Sequence, residues 1–447
     1  MSLTAQPIQY WPIMKRRTST PSFTRRSFLH TTSTALGLFT LGAGPSIQAA
    51  AQARAKNLPK PQQSGIEHVV VVMMENRSFD HFLGWLPGAD GKQAGLTYLD
   101  PQGAAHATYP LAPDYQGCGH IDPDHSYEGG RIQFNNGACD GWLRAESDLY
   151  AIGYYSGDDL PFHAGAAPAW TTCDRYFSAI LAGTFPNRIY QYAAQTDRLD
   201  NSFDISSLPT IFDRLAEHSL QGRCYFSDVP FVALWGTKYL PVTRPLTEFF
   251  ADCASGSLPH VSFVEPRFVG ESLGLTNDDH PFADIRNGQA FLNSIYEAVI
   301  SSPDWPNTIL VINYDEWGGF FEHVPPPTAP IPPADLALSS DGRRGFRVPA
   351  LVISPWSQRG TVAHGLFDHT SVLRLMEWRW HLRPLTVRDA TAANLAEVLD
   401  FSRPNFDAPR FAVGTGPFGT PCLPTGGLGD FGPLAELAER LGFLLGA

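Results

Sequence analysis

The sequence predicts an α/β fold in which a mostly parallel central sheet carries helices on both faces. Continuous apolar runs at 69–74, 308–312 and 348–353 have the length and the β-branched content of strands that are buried on both faces. Apolar residues recur at i, i+3, i+4 and i+7 in two further segments, 292–299 and 434–441, and this spacing predicts amphipathic helices. Buried strands that alternate with such helices are typical of an α/β sandwich.

The composition is that of a large folded protein. Hydrophobic residues make up 43% of the 447 residues and charged residues only 17%, so most of the chain is not expected to be disordered. The 40 glycines and 38 prolines predict long irregular connections and argue against a helical bundle.

No linker divides the chain after residue 65, so we expect one catalytic domain at 66–390. A linker at 54–65 precedes it, and a C-terminal extension at 391–447 is expected to end in a helix packed on the core. Segments around 90–170 and 200–265 lack the buried-strand pattern, apart from one helix at about 210–218, and we interpret both as cap-like insertions.

Residues 1–53 are interpreted as a twin-arginine signal peptide. Residues 24–29 (TRRSFL) resemble the twin-arginine export signature, a weakly apolar run follows at 31–47, and Ala-Gln-Ala at 51–53 offers a cleavage site. The apolar run is too short and too rich in glycine for a stable membrane span. We therefore expect a protein that the twin-arginine translocation machinery exports to the periplasm or beyond.

The formal net charge of −12 is unevenly distributed. Residues 1–53 hold five of the 32 basic residues and no acid, which leaves 27 basic against 44 acidic residues, or −17, in the remainder. So acidic a chain is not expected to bind nucleic acid through an extended basic surface.

Six cysteines permit disulfides in an exported protein. The most local pairs are Cys118 with Cys139 and Cys224 with Cys253, and buried free thiols are the alternative. No Cys-x-x-Cys pair is present, so a zinc knuckle is not favoured.

Acidic and amide side chains follow two of the predicted strands. Glu75 and Asn76 follow the first run, and Asp315 and Glu316 come shortly after the second. Ligands of open α/β sheets gather beyond the carboxyl ends of the strands. These oxygen ligands suit Ca²⁺, Mg²⁺ or Mn²⁺, and they are also compatible with zinc or iron. Solvated acids are the alternative, but adjacent acids after a buried run are costly unless a cation neutralises them.

Residues 183–188 (GTFPNR) predict the start of a helix, with Thr184 near the N-cap and Pro186 in the first turn. An N-cap without chemistry is one interpretation. The other is a metal-bound threonine alkoxide, a nucleophile directed at phosphorus.

Four of the 14 histidines lie in polar, acid-rich contexts: His125, His280, His323 and His369. A lone histidine is more often a surface or core residue. Phosphate-ester hydrolysis, however, needs imidazoles that stabilise charge or protonate a leaving group.

Four motifs together resemble those of a known family: ENRSFDH at 75–81, TFPNR at 184–188, NYDEWGGFFEHVPPP at 313–327 and DHTS at 368–371. The chain resembles, from about residue 66 to 380, the bacterial phosphoesterase family that includes phosphatidylcholine-type phospholipases C, plant non-specific phospholipases C and an acid phosphatase. We expect a short form of this family, without the additional C-terminal β-domains of the larger bacterial phospholipases C.

The resemblance implies an alkaline-phosphatase-like sandwich that binds one or more divalent metal ions. The implied metal ligands are Glu75, Asn76, Asp315, Glu316 and Thr184. The implied catalytic residues are Thr184, as the nucleophile, with His125 and His280 around the phosphate. Residues expected to contact substrate or to support the ligands are Asn187, Asp279, His323 and His369.

The leading functional hypothesis is metal-dependent hydrolysis of a phospholipid, such as phosphatidylcholine, to diacylglycerol and a phospho-alcohol through a phosphothreonine intermediate. Contact with a membrane surface would then be transient. An acid phosphatase of the same family, acting on small phosphate esters, is the alternative. A non-catalytic exported metal-binding protein is disfavoured, because every expected nucleophile and carboxylate position is filled.

Overall fold

The protein, described here by a computed structural model, is built on an eight-stranded sheet. The structure describes residues 58–423 and 431–443, so the predicted signal peptide lies outside the described residues. The strands in chain order are β1 (His68–Met74), β2 (Thr97–Leu99), β3 (Ala105–Ala107), β4 (Tyr109–Pro110), β5 (Gly153–Tyr154), β6 (Thr171–Cys173), β7 (Tyr176–Phe177), β8 (Gly222–Phe226), β9 (Thr243–Pro245), β10 (Val261–Glu265), β11 (Thr308–Tyr314), β12 (Ala350–Ile353), β13 (Thr361–Ala363) and β14 (Phe367–Asp368).

Helices connect and cover these strands. The α-helices in chain order are α1 (Phe79–Leu83), α2 (Tyr127–Phe134), α3 (Pro161–Ala169), α4 (Thr184–Ala193), α5 (Ile211–Glu217), α6 (Leu246–Ser255), α7 (Ile285–Ser301), α8 (Pro333–Ala337), α9 (His369–Trp380), α10 (Val387–Ala390) and α11 (Phe431–Arg440). Short 3-10 helices lie at Pro61–Gln63, Asn135–Gly137, Leu149–Ile152, Gly157–Asp159, Phe231–Trp235, Leu240–Val242, Glu271–Leu273, Trp305–Asn307 and Leu395–Val398.

The strand order of the large sheet is β13-β6-β12-β11-β1-β10-β8-β9. Only β12 runs antiparallel to its two neighbours, β11 and β6, while the other pairs are parallel. The predicted α/β fold with a mostly parallel sheet is therefore confirmed, and the three apolar runs form β1, β11 and β12. The remaining strands pair two by two, as β14-β7, β2-β3 and β4-β5.

Both faces of the central strands are covered. Every residue of β11 is buried, and so is every residue of β1 except His68. Successive side chains of a strand point to opposite faces, so continuous burial means that neither face meets solvent. The covering helices pack on one another in two groups, α4 with α9, and α3 and α6 with α7. The helices predicted at 210–218, 292–299 and 434–441 correspond to α5, α7 and α11.

The interpretation of 200–265 as a cap-like insertion is wrong. This segment supplies β8, β9 and β10 to the large sheet. The strands are only three to five residues long, and polar residues such as Arg223 and Ser262 interrupt their apolar pattern, so no continuous apolar run marks them. Residues 90–170, in contrast, contribute no strand to the large sheet, and their role as a cap stays a prediction.

The helix near the C-terminus packs beside the helix that begins at Thr184. Phe431 of α11 stacks on Phe268 with ring centroids 4.2 Å apart, and it also contacts Phe185 of α4 at 5.6 Å. Leu434 and Ala438 of α11 are fully buried. The end of the chain thus contributes to the core next to the predicted nucleophile.

One disulfide, Cys118–Cys422, joins residues 304 positions apart in the described part of the chain. The two local pairings predicted from the sequence are wrong, since Cys139, Cys173, Cys224 and Cys253 are buried free thiols. Sequence distance misled the prediction, because Cys224 lies within strand β8 and Cys253 within helix α6, where each is packed into the core.

Within the described residues, no helix is both long enough and apolar enough to cross a membrane.

We expect that replacing both bridged cysteines, as C118S/C422S, lowers the free energy of unfolding by about 2 to 4 kcal/mol, because the cross-link constrains the unfolded chain. Thermal denaturation of the double variant measures this effect. A C253S variant serves as the control for loss of a buried thiol.

A count of thiols in denatured, non-reduced protein tests the pairing itself. Four reactive thiols are expected. A count of two or six would contradict the single bridge.

Candidate active site

The ends of β1 and β11 bring two acidic segments together. The strands are parallel neighbours in which Met74 lies opposite Tyr314, so the residues that follow them emerge side by side. The Asp315 amide donates to the Met74 carbonyl at 3.1 Å, and the Asn76 amide donates to Asp315 Oδ1 at 3.0 Å. The four predicted ligands, which also include Glu75 and Glu316, are all fully buried.

Each of the three carboxylates keeps one oxygen without a hydrogen bond from the described residues: Glu75 Oε2, Asp315 Oδ2 and Glu316 Oε1. Buried carboxylate oxygens are costly when they lack a partner. The donor set therefore fits a divalent cation, which binds carboxylate and amide oxygens.

The local backbone orients Glu316. Its second oxygen, Oε2, accepts a hydrogen bond from the Gly318 amide at 2.7 Å. Gly318 has a φ of +64°, and a Cβ at this position would lie 2.0 Å from the Asn76 carbonyl oxygen. A glycine is thus required where the loop after β11 crosses the loop after β1.

Burial and mutual repulsion oppose ionisation of the carboxylates. Burial, and then the Asp315 charge, raise the pKa of Glu75 well above its ordinary value. Burial raises the pKa of Glu316 to about 8, although His125 acts in the opposite direction. Burial also raises the pKa of Asp315, against the effect of Arg188. A bound cation would reverse such shifts.

Thr184 is the first residue of α4, and its hydroxyl is free to face the carboxylates. The N-cap residue is Gly183, which has no side chain that could cap the helix. Thr184 Oγ1 does not cap the helix either, and it donates a hydrogen bond to Asn76 Oδ1 at 3.4 Å. The threonine is 2% exposed. The structure thus places the predicted nucleophile beside a predicted metal ligand, at a helix N-terminus that favours negative charge.

Arg188 is a site residue that the sequence reasoning did not single out. It lies one turn after Thr184 on α4, and its Nη2 is 2.7 Å from Glu75 Oε1 while its Nε is 3.3 Å from Asp315 Oδ2. The i, i+4 spacing from Thr184 is the signal that could have identified it, because residues so spaced share one face of a helix.

His125 and His280 lie together near Asn76. Their ring centroids are 6.3 Å apart, and His125 Nε2 is 3.4 Å from Asn76 Nδ2. The Pro123 carbonyl accepts a hydrogen bond from His125 Nδ1 at 2.7 Å, which fixes the orientation of the ring and directs Nε2 toward Asn76. Burial lowers the pKa of His280 well below its ordinary value, and the charges of His125 and Arg77 act in the same direction.

These histidines form a second group that could hold a metal ion. Asp122, His125 and His280 offer ligand atoms that all lie within 4.8 Å of one another. Asp122 Oδ2 is 3.5 Å from His280 Nε2. Sequence reasoning assigned the two histidines to catalysis and did not identify Asp122.

A cleft of about 360 Å³ opens at this point. Its lining includes His125 and Gly183, so it leads to the start of α4. Acidic residues predominate among its charged lining residues, which are Asp122, Asp124, Glu128, Glu146 and Asp200.

Asn187 supports the site through the backbone. Its amide nitrogen donates to the carbonyls of Ala182 at 2.7 Å and Gly183 at 3.1 Å, and its oxygen accepts from the Ile180 amide at 3.0 Å. The side chain therefore holds the loop before Thr184 in place, and all of these contacts are with protein backbone.

His369 also supports the site. Its Nε2 donates to the Asp315 carbonyl at 2.7 Å, and its Nδ1 accepts from the Tyr176 hydroxyl at 3.3 Å. Burial lowers the pKa of His369 to about 4, so the ring is neutral. Asp279 Oδ2 accepts a hydrogen bond at 2.6 Å from the hydroxyl of Tyr314, the last residue of β11.

His323 belongs to a separate polar network. Its nitrogens are 2.6 Å from Asp80 Oδ2 and 3.2 Å from Asp90 Oδ1. Arg347 pairs with Asp80 and Glu322 in the same network. None of these contacts joins His323 to Glu75, Asn76, Asp315 or Glu316.

Comparison with known proteins matches this arrangement to one family. The model of the phosphoesterase family matches residues 66–383. Non-specific phospholipase C1 of Arabidopsis thaliana is 33% identical over 386 residues, which cover 75% of this chain and 72% of that protein. Phospholipase C B of Mycobacterium tuberculosis is 33% identical over 476 residues, which cover 87% and 88%.

Among solved structures, a protein in the alkaline phosphatase superfamily from Vibrio parahaemolyticus aligns with a TM-score of 0.37 at 10% identity, over 78% of this chain and 79% of that one. The family match spans both strand ends and the start of α4, where the buried carboxylates and Thr184 meet. The chain therefore belongs to the phosphoesterase family and is a phosphoric ester hydrolase.

Proposed function

We propose that this chain is a metal-dependent phosphodiesterase of the phospholipase C type, which hydrolyses a phospholipid such as phosphatidylcholine to diacylglycerol and a phospho-alcohol. The observation that carries the proposal is the buried Thr184 hydroxyl, which faces Asn76 where three buried carboxylates meet, each with one oxygen that has no hydrogen bond from the described residues. The names of the phospholipase C relatives support the choice of substrate.

The metal ion is proposed to bind Glu75, Asn76, Asp315, Glu316 and Thr184. When bound, a divalent ion would supply Lewis-acid chemistry that polarises the phosphoryl group and favours the threonine alkoxide. The oxygen ligands are compatible with Ca²⁺, Mg²⁺, Mn²⁺, Zn²⁺ or iron.

In the first step, Thr184 Oγ1 attacks phosphorus. The Oγ1–P bond forms, the bond from phosphorus to the glycerol oxygen breaks, and diacylglycerol leaves as it takes up a proton. The positive end of the α4 helix dipole stabilises negative charge on the phosphoryl oxygens. The product of this step is a phosphothreonine that still carries the alcohol.

In the second step, water attacks phosphorus and the Oγ1–P bond breaks. The phospho-alcohol leaves, and Thr184 regains its hydroxyl proton. His280 is neutral because its pKa is lowered, so it can accept a proton from the attacking water. His125, whose Nδ1 is held by the Pro123 carbonyl, is proposed to serve in the same way through Nε2.

We further propose that the protein is exported. The arginine pair at 25–26 and the apolar run that follows support this, and so does the Cys118–Cys422 bridge, since disulfides persist in oxidising compartments. Transient contact with a lipid surface follows from a phospholipid substrate. Ile121, which is 57% exposed at the cleft, is positioned for such a contact.

A T184A variant is expected to lose at least about 10³-fold in kcat on phosphatidylcholine vesicles, because no other group would replace the nucleophile. T184S should keep measurable activity, since it retains a hydroxyl. T172A, which removes another buried threonine hydroxyl, is the control for stability. Full activity of T184A would contradict the proposed mechanism.

Chelation is expected to abolish activity, and added divalent ion is expected to restore it, because the ion completes the carboxylate set. Elemental analysis of wild type, D315N and E316Q should show that both variants lose bound metal. Activity that persists in metal-free protein would exclude the proposed cofactor role.

H125N and H280N are each expected to lower kcat by about 10²-fold or more while leaving the bound metal unchanged. Both kcat and metal content should be measured on the same preparations. Loss of metal in these variants would instead assign the ion to the group formed by Asp122, His125 and His280.

Substrate preference separates the two activities of the family. Purified protein should turn over phosphatidylcholine and a chromogenic phosphodiester faster than a chromogenic phosphomonoester, because the open cleft leaves room for a second substituent on phosphorus. Faster monoester turnover would assign the chain to the acid phosphatases.

A further inference from the structure

We propose that Arg188 is a fixed cation of the metal centre, which offsets the charge of Glu75 and thereby limits how tightly the centre holds its divalent ion. The inference rests on the carboxylate ligand set given under the proposed function. It concerns the affinity of the centre for the ion, and it does not depend on which phosphate ester is hydrolysed.

The contacts of Arg188 are with the carboxylates themselves. Its Nε and Nη2 lie 2.8 and 2.7 Å from Glu75 Oε1, and Nε is 3.3 Å from Asp315 Oδ2. Arginine and glutamate are 2% and 0% exposed, so water does not screen the interaction. Arg188 thus occupies the side of the two carboxylates that faces α4.

The guanidinium is held in place by other groups as well. Nη2 also donates to the backbone carbonyls of Met73 at 3.3 Å and Met74 at 3.1 Å, and the group lies over the Phe268 ring, 4.6 Å from its centroid. These contacts join α4 to the end of β1. Because Thr184 lies one turn earlier on the same helix, they also position the nucleophile relative to Glu75.

The role of Arg188 follows from the sum of the charges at the centre. Glu75, Asp315 and Glu316 together carry a charge of −3 when ionised, and Arg188 reduces this to −2, the charge that one divalent ion neutralises. Glu75 Oε2 and Glu316 Oε1 have no hydrogen-bond partner among residues 58–423 and 431–443, and they are left for the ion. A permanent positive charge in the low dielectric of the interior repels a second cation more strongly than it would at the surface.

Removal of this charge should therefore strengthen ion binding. In R188M, we expect the Kd for Mn²⁺, measured by equilibrium dialysis of the full chain, to fall at least about ten-fold. R188K keeps the charge and should stay within about three-fold of wild type. The matched control is R388M, since Arg388 is also buried and pairs with a buried carboxylate, Asp368, outside the proposed ligand set. R388M should leave the Mn²⁺ Kd unchanged.

A double variant that removes both charges of the Glu75–Arg188 pair tests the inference even if R188M folds poorly. E75Q should raise the Mn²⁺ Kd at least about ten-fold, and adding R188M to it should recover most of that loss, because the pair is removed together. If R188M binds Mn²⁺ more weakly than wild type, or if E75Q/R188M binds no better than E75Q, Arg188 is a scaffold residue only and the inference is wrong.

The same measurement separates this inference from the proposed function. Wild-type protein that binds no divalent ion would overturn both. Wild-type protein that binds Mn²⁺, with an affinity that the Arg188 variants do not change, would overturn the role of Arg188 alone.

Discussion

The burial of three carboxylates at the ends of two adjacent parallel strands is the constraint on which the rest of the site depends. The pairing of Met74 with Tyr314 places Glu75 beside Asp315, and nothing in the local sequence of either segment could place them so. Burial, and to a lesser degree the charge of Asp315, raise the pKa values of Glu75 and Glu316. The structure must therefore supply compensating positive charge there.

The surrounding structure supplies positive charge at this edge of the sheet and holds the site residues in place. Helix α4 presents its N-terminus, the Thr184 hydroxyl and the Arg188 guanidinium to the same edge of the sheet. Asn187 holds the loop that leads into the helix, and His369 holds the Asp315 carbonyl. These backbone contacts hold the proposed site residues in fixed positions. Such rigidity suits the role proposed for Thr184, because a nucleophile must be held within a fraction of an ångström of its reactive position.

Sequence reasoning succeeded for elements whose burial can be recognised from residues adjacent in the sequence. Continuous apolar runs of this length and β-branched content favour strands buried on both faces, so β1 and β11 and the acids that follow them could be identified. It failed for β8 and β10, because short strands with polar residues such as Arg223 have no distinctive pattern. It also failed for the cysteines, because Cys118 and Cys422 approach only in the folded chain.

The candidate site was predictable to the same extent. Four candidate ligands and Thr184 could be named because they lie at strand ends or at a helix start, whereas Arg188 and Asp122 could not. Their roles arise from partners more than 100 residues away in sequence, Glu75 for Arg188 and His280 for Asp122. His323 is the opposite case. It lies in the same sequence motif as Asp315 and Glu316, but its side chain contacts Asp80.

By itself, the sequence determined the class of fold, the family and the chemical types gathered at the strand ends. Those properties follow from local patterns of hydrophobicity and from motifs that each lie within one short segment. The tertiary structure alone decided which charges offset one another, which cysteines pair and which histidines lie together near Asn76. These depend on the register of parallel strands and on helix packing, and both are set by contacts between residues far apart in the chain.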